Sequence, residues 1–324
     1  MRTDARAMSL KARVRNRAAA LGLAPHVVLQ NYMFERFLVR LSASPWRERF
    51  VLKGGLLVAH LHGLAERATM DMDATVRGFA LTADSASAAV ADVCAVDAGD
   101  GIAFSVASGE PIRQNDPYGG FRIHFDAAAF GIRVHLSVDL STGDAITPAP
   151  EEYELPGLFD DTPPIRLLGY SRETILAEKI ESILTLSVYG TRPRDYYDLW
   201  LLSGDAIRPD ILRDALRATC RHRGTEARLG DASERLAAIA TSDALLVRWN
   251  RYREAFPYAK DVTFEQTIQV LRKLLALAGV PVDPAPRSSV KPPRLDPASP
   301  PRRKPRNTTN RNSDALNPSA NAPG

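Results

Sequence analysis

The sequence predicts an α+β protein close to the α/β type. A mixed sheet with N-terminal helices is followed by an all-helical C-terminal subdomain and a disordered tail. Three observations carry this. Two helical patterns precede the first strand pattern; strands and helices then alternate as far as Leu140; and from Ser171 onward only helical periodicity remains. The parts fall at residues 1–170, 171–280 and 281–324.

Ser9 is placed to cap a first helix ending near Leu21. After Pro25, the residues Val28, Leu29, Tyr32, Phe34, Phe37, Leu38 and Leu41 recur at helical spacing, and Pro45 closes the run. Phe50-Val51-Leu52 is a short apolar run, a strand or turn, ended by Lys53-Gly54-Gly55, and Leu56 to Leu61 suggest a helix stopped by Gly63. Met70–Val76 reads as a strand with Met70 and Met72 toward the core, and Ser85–Val96 as a helix. Phe121–Phe125 and Ile132–Leu140 alternate apolar and polar residues, the mark of half-buried strands. From Ser171, Ile175, Leu176, Ile180, Ile183 and Leu184 open a helical series. It continues near 194–203, 208–222, 228–240, 243–253 and 264–278.

At 45% hydrophobic residues the chain can bury a sizeable core, yet it holds no uncharged apolar run long enough to span a membrane. The first twenty residues carry Arg2, Arg6, Lys11, Arg13, Arg15 and Arg17 without an apolar stretch, which argues against a secretory signal. Two distant cysteines, Cys94 and Cys220, suit a reduced, cytoplasmic protein and argue against a disulfide or a cysteine zinc site. From Pro281 onward eight Lys/Arg face three Asp, a balance of +5. The chain's net +4 therefore leaves the first 280 residues at −1. The tail also holds 11 of the 23 prolines and cannot offset its own ordering entropy. It reads as a solubilising appendage or an electrostatic contact for RNA.

The chemistry centres on Lys53-Gly54-Gly55 and Arg67-x-Thr69-x-Asp71-Met72-Asp73. On a strand, Asp71 and Asp73 point to the same face with Cα atoms about 6.6 Å apart. Two carboxylates so placed repel unless a cation neutralises them. Mg²⁺, or Mn²⁺ in its place, suits such hard oxygen ligands and usually keeps phosphates or water in its shell. The glycines permit a tight turn and close approach of a ligand, and the helix they open favours phosphate at its N-terminus. Lys53 beside them is a candidate to neutralise phosphate charge. Asp139, on a strand face shared with Arg133, His135 and Ser137, is the candidate third acid of a two-metal site, with Asp126 as competitor. Arg67 either reaches phosphate or pairs with an acid, and Thr69 supports it. Lys179, Asp195 and Asp198 can serve a site or form an inter-helix ion pair. The histidines His60, His62, His124 and His135 lack a metal-ligand spacing, and Trp46, Trp200 and Trp249 read as core.

These motifs resemble the AbiEii/AbiGii toxin family of nucleotidyltransferases, a branch of the polymerase-β-like superfamily. Tyr32 to Leu41 resembles the helix before the Lys-Gly-Gly turn, and Val138-Asp139-Leu140 the later acidic strand. Ala177-Glu178-Lys179 and Arg194-Asp195-Tyr196-Tyr197-Asp198-Leu199 resemble the family's C-terminal motifs. The likeness spans roughly residues 9 to 280; Leu56 stands where the family often has a small hydroxyl residue. It implies metal binding by Asp71, Asp73 and Asp139, phosphate contact by Lys179 together with Arg194, and a catalytic or positioning role for Asp198. It further implies nucleotide transfer from a nucleoside triphosphate to an acceptor such as a tRNA 3′ end or a protein side chain, and restraint by an antitoxin protein. The competing classes are a non-catalytic nucleotide or RNA sensor, a binding protein working through its basic tail, and a kinase that transfers the γ-phosphate to a protein.

Overall fold

The structure, a computed structural model, describes residues 5–112 and 119–283. The chain opens with α1 (Ala5–Leu21) and α2 (Pro25–Ala43). There follow β1 (Phe50–Lys53), α3 (Gly54–His62), β2 (Met72–Val76), α4 (Ala83–Ala95), β3 (Ile102–Ile112), β4 (Gly120–Ala129) and β5 (Ile132–Thr142). The sheet is completed by β6 (Glu151–Leu155) and β7 (Ile165–Gly169). Beyond it come α5 (Arg172–Leu186), α6 (Pro193–Leu202), α7 (Pro209–His222), α8 (Ala227–Gly230), α9 (Ala232–Ala240), α10 (Asp243–Ala255) and α11 (Phe264–Leu277). The fold is therefore α+β, with a sheet of seven strands in the order β3-β4-β5-β2-β1-β7-β6. It is mixed: β2 runs parallel to β5 and β1 to β7, and the other neighbours are antiparallel. All described residues lie in one compact unit. The tail expected from residue 281 lies, beyond residue 283, outside the described residues.

Sequence pattern explains the layering. On β5, Leu136, Val138 and Leu140 are buried, as are Met72, Ala74 and Val76 on β2. These residues share one face, against which α2 packs at β5 and β7 and α4 at β3 and β4. The opposite face carries the acids. Between β4 and β5, Phe130 and Gly131 both take positive φ, 52° and 80°, the two-residue turn whose twist matches paired antiparallel strands. That turn fixes the register in which Arg122 lies opposite Asp139.

Three expectations need correction. The first helix begins at Ala5, so Ser9 sits inside it rather than capping it. The second strand begins at Met72, so Met70 precedes it and is 40% exposed instead of facing the core. Backbone carbonyls before the strand are taken by helix α2: Gln30 Nε2 donates to Met70 O at 2.8 Å and Asn31 Nδ2 to Thr69 O at 2.8 Å. Strands β3, β6 and β7 were absent from the sequence pattern; β3 and β6 sit at the sheet edges, each with a single buried residue, Ile102 and Leu155.

Helix α2 is tied to the start of β3 by charge. Buried Arg40 donates to Asp100 Oδ1 at 2.7 Å, to Asp100 Oδ2 at 2.9 Å and to Ile102 O at 2.7 Å, and Arg36 adds a bond at 2.8 Å. Removing one partner of a buried pair strands the other. Asp100→Ala should lower unfolding stability by about 3 kcal/mol or more, read as a shifted urea midpoint with an unchanged slope.

Candidate functional site

Four neighbouring strands place a row of charged residues across one face of the sheet. Lys53 on β1 pairs in register with Asp73 on β2, Asp73 with Asp139 on β5, and Asp139 with Arg122 on β4. Adjacent strands are about 4.8 Å apart, so the two carboxylates start from neighbouring backbone positions. Asp139 is held by Arg122, whose Nε and Nη2 donate at 2.7 and 2.8 Å to its two oxygens. This hydrogen bonding holds the Arg122 guanidinium above its ordinary pKa. Asp126, the competitor, accepts instead from His135 at 3.0 Å and lies outside the cleft.

Gly54 has φ +66°, and a Cβ there would come within 2.4 Å of Asp73 Oδ2. Only glycine fits both the backbone and the carboxylate beside it. A Cβ on Gly55 would meet Thr69 Oγ1 at 2.9 Å and Arg67 Nη2 at 3.1 Å. The start of α3 is thus pressed against the segment that leads into β2. No side chain caps this helix.

Lys53 is not free for phosphate. Its amine, 6% exposed, donates to Ser141 at 2.7 Å and Asp144 at 2.5 Å. Thr75 and Ser141 donate to the same Asp144 oxygen at 2.6 Å each. Burial opposes the Asp144 charge, but Lys53 and these hydroxyls outweigh it and hold the carboxyl well below the usual range. Lys53 therefore supports the floor beneath the acids.

The opposite wall comes from α5 and α6. Asp198 is fully buried between two cations: Arg67 Nε donates to Oδ1 at 2.6 Å, and Lys179 Nζ lies 2.6 Å from Oδ2. Lys179 also donates to Asp195 at 2.9 Å. Of the two roles open to Arg67, the structure shows the pairing with an acid. Burial opposes the Asp198 charge, but Lys179 and Arg67 outweigh it and lower its pKa. Burial likewise opposes the Lys179 charge, which Asp195 and Asp198 outweigh, raising its pKa. Asp198 has no exposed surface and meets the cleft only through Lys179 and Arg67. Arg194, at the exposed start of α6, donates to Asp71 Oδ2 at 2.9 Å.

These walls enclose a cleft of about 410 Å³. Every candidate site residue lines it except Asp198, which lies behind: Lys53, Gly54, Gly55, Arg67, Thr69, Asp71, Asp73, Asp139, Lys179 and Arg194. The sequence reading missed Arg122, Arg192 and Arg223, which also line it, and Asp144 beneath it. Arg122 was recoverable from the hairpin register; Arg223 follows α7 and carried no local signal. His124 and His135 stack on each other at 5.3 Å outside the cleft. Among the described residues no group of three or more His, Cys, Asp or Glu is already gathered to hold a metal, and no helix is long and apolar enough to cross a membrane. Both cysteines are free, and burial pushes the Cys94 thiol up to about 12.

Residues 36–270 match the family model for the nucleotidyl transferase AbiEii toxin of Type IV toxin–antitoxin systems, and the chain belongs to this family. Among solved structures it is similar to JHP933 from Helicobacter pylori, at 17% identity over 78% of this chain and 90% of that one, with a TM-score of 0.42. It is also similar to an antigenic nucleotidyltransferase-like protein from Paracoccidioides brasiliensis, at 14% identity over 69% and 84% of the two chains, with a TM-score of 0.34. No curated protein matches.

Three outcomes follow from the buried charges and the glycine. Asp198→Ala leaves Arg67 and Lys179 buried without their shared counterion and should cost about 3–5 kcal/mol in chemical denaturation. Because the Asp198 and Asp144 pKa values are lowered on folding, their stabilisation is present above the unfolded carboxylate value of about 4 and is lost as pH falls through the folded values. Wild-type stability should therefore fall with acidification below about pH 4, and less steeply in Asp144→Asn. Gly54→Ala should cost at least about 1–2 kcal/mol from its backbone conformation alone, measured by thermal unfolding.

Proposed function

We propose that this cleft transfers a nucleoside monophosphate from a nucleoside triphosphate to an acceptor hydroxyl such as a tRNA 3′ end, as the cytoplasmic toxin of a pair restrained by an antitoxin protein. The observation that carries the reading is the register of Asp73 beside Asp139, with Gly54 packed on the Asp73 carboxylate at an uncapped helix start. Family membership supports nucleotide transfer; the acceptor, the metal and the antitoxin contact are part of this proposal.

The donor set fits Mg²⁺, or Mn²⁺, because it consists of carboxylate oxygens beside a glycine whose Cβ would fill the space at Asp73. Asp71 and Asp73 would hold it, joined by Asp139 if Arg122 releases an oxygen. When bound, the metal neutralises charge on the phosphates and on the attacking and leaving oxygens. The chain's own residues do the rest. The first N–H groups of α3 receive the triphosphate. Lys179 and Arg194 face it from α5 and α6, and Arg194 can leave Asp71 at little cost because exposed ion pairs contribute only about 0–1 kcal/mol. Asp198 fixes Lys179 and Arg67, and Lys53 fixes the floor. The acceptor hydroxyl gives up its proton to solvent and attacks the α-phosphorus; the bond from the α-phosphorus to the bridging oxygen breaks, and pyrophosphate leaves with that oxygen and its electron pair. Catalysis here is positioning and charge neutralisation.

Purified protein incubated with Mg²⁺, total tRNA and each α-³²P-labelled triphosphate should place label on RNA, and Asp71→Ala/Asp73→Ala should abolish it. Label on protein would move the acceptor to a side chain. Transfer of γ- but not α-label would replace this reading with a kinase.

A further inference from the structure

Among the described residues the proposed triphosphate cleft has no aromatic side chain in its lining; Ile112 and Ile175 are its large apolar residues there. Directly beside it lies a second groove of about 370 Å³. Arg67, Thr69, Asp71, Arg192 and Arg194 line both, so the two adjoin along these residues, with the exposed Arg194–Asp71 ion pair between them. The character changes across this seam. Beyond it the groove is walled by Met70, Tyr252, Phe256 and Tyr258. Met70 and Phe256 are 40% and 37% exposed, the latter on the segment that follows α10.

The aromatic wall is built rather than incidental. Phe256 packs on Tyr252 with ring centroids 4.8 Å apart and on Tyr258 at 5.5 Å. Tyr258 packs in turn on Tyr197 of α6 at 4.9 Å. The Tyr252 and Tyr258 hydroxyls bond each other at 3.0 Å, and Tyr197 donates to Glu66 O at 2.8 Å. Their polar ends are thereby occupied, while the exposed part of the Phe256 ring remains available to a ligand. Both cavities fall within the roughly 300–1,000 Å³ of small-molecule sites. A charged pocket joined to an aromatic one fits a ligand with a charged half and a flat aromatic half.

We infer that the groove is the base-binding half of the nucleotide site: the triphosphate lies in the cleft, and the base of the same nucleotide stacks in the groove on Phe256, backed by Tyr252 and Tyr258. The inference rests on the nucleotide reading of the cleft. Arg192 and Arg194 sit at the seam, where the ribose and α-phosphate of such a ligand would pass. Met70 closes the other side of the groove, which explains a use for its exposure just before β2.

The test compares two probes by calorimetry in Mg²⁺: the four non-transferable α,β-methylene nucleoside triphosphates and inorganic tripolyphosphate, which has no base. Stacking on an aromatic ring accounts for about 5- to 150-fold in affinity. Phe256→Ala should weaken the best-bound analogue by an amount in that range and leave tripolyphosphate unchanged, and Phe256→Trp should restore analogue binding. Unchanged analogue affinity in Phe256→Ala overturns the assignment. So does equal weakening of both probes, which marks a damaged cleft, or weakening of tRNA binding alone, which gives the groove to the acceptor. If wild-type protein binds neither probe, the nucleotide reading of the cleft itself fails.

Discussion

Two carboxylates of like charge on adjacent strands are the constraint around which the site is organised. Asp73 and Asp139 stand side by side because β2 and β5 are parallel and paired in that register. Such a pair is unfavourable unless positive charge is brought to it. The sheet brings it by placing Lys53 and Arg122 at the two ends of the row. Arg122 reaches Asp139 directly, while Lys53 turns to Asp144 and Ser141 beneath. Carboxylates bordered by cations in this manner suit the metal and triphosphate proposed for the cleft.

The helical half makes that arrangement rigid on one side and adjustable on the other. Asp198 joins Arg67, from the segment before β2, to Lys179 on α5; Asp198 and Arg67 are buried, and Lys179 lines the cleft. Buried ion pairs add little net stability against an apolar alternative but are costly to break. This one fixes which way the Arg67–Asp71 segment and α6 face each other. Arg194, four residues before Asp198, is left exposed and paired with exposed Asp71. Asp198 and Arg67 are thus buried, Arg194 and Asp71 are exposed, and Lys179 stands between, paired with Asp198 and lining the cleft.

Much of this was legible in the sequence. Helix α2 announced itself through apolar residues at Val28, Phe34, Phe37, Leu38 and Leu41, all fully buried. The Gly54-Gly55 turn and the acid pair were readable because each needs a specific residue type. What the pattern could not reveal was who takes whom as a partner. Lys53 looked like a phosphate ligand because Asp144 is 91 residues away. Asp71 looked like a strand residue because period-two alternation does not mark where a strand begins, and α2 draws off the carbonyls of Thr69 and Met70 before it. Edge strands β3 and β6 bury only Ile102 and Leu155 fully, and β3 closes on a Ser-Gly-Glu-Pro run before Ile112, so neither carried the sustained apolar alternation by which β4 and β5 were found.

Binding of a divalent ion by Asp71 and Asp73 is the most direct test. Mn²⁺ titration followed by electron paramagnetic resonance should show a site in wild-type protein that tightens with added nucleoside triphosphate. Asp73→Ala, with its thermal unfolding intact, should lose that site. Equal Mn²⁺ binding by wild type and Asp73→Ala, with and without nucleotide, would contradict the role given to the row of charges on the sheet.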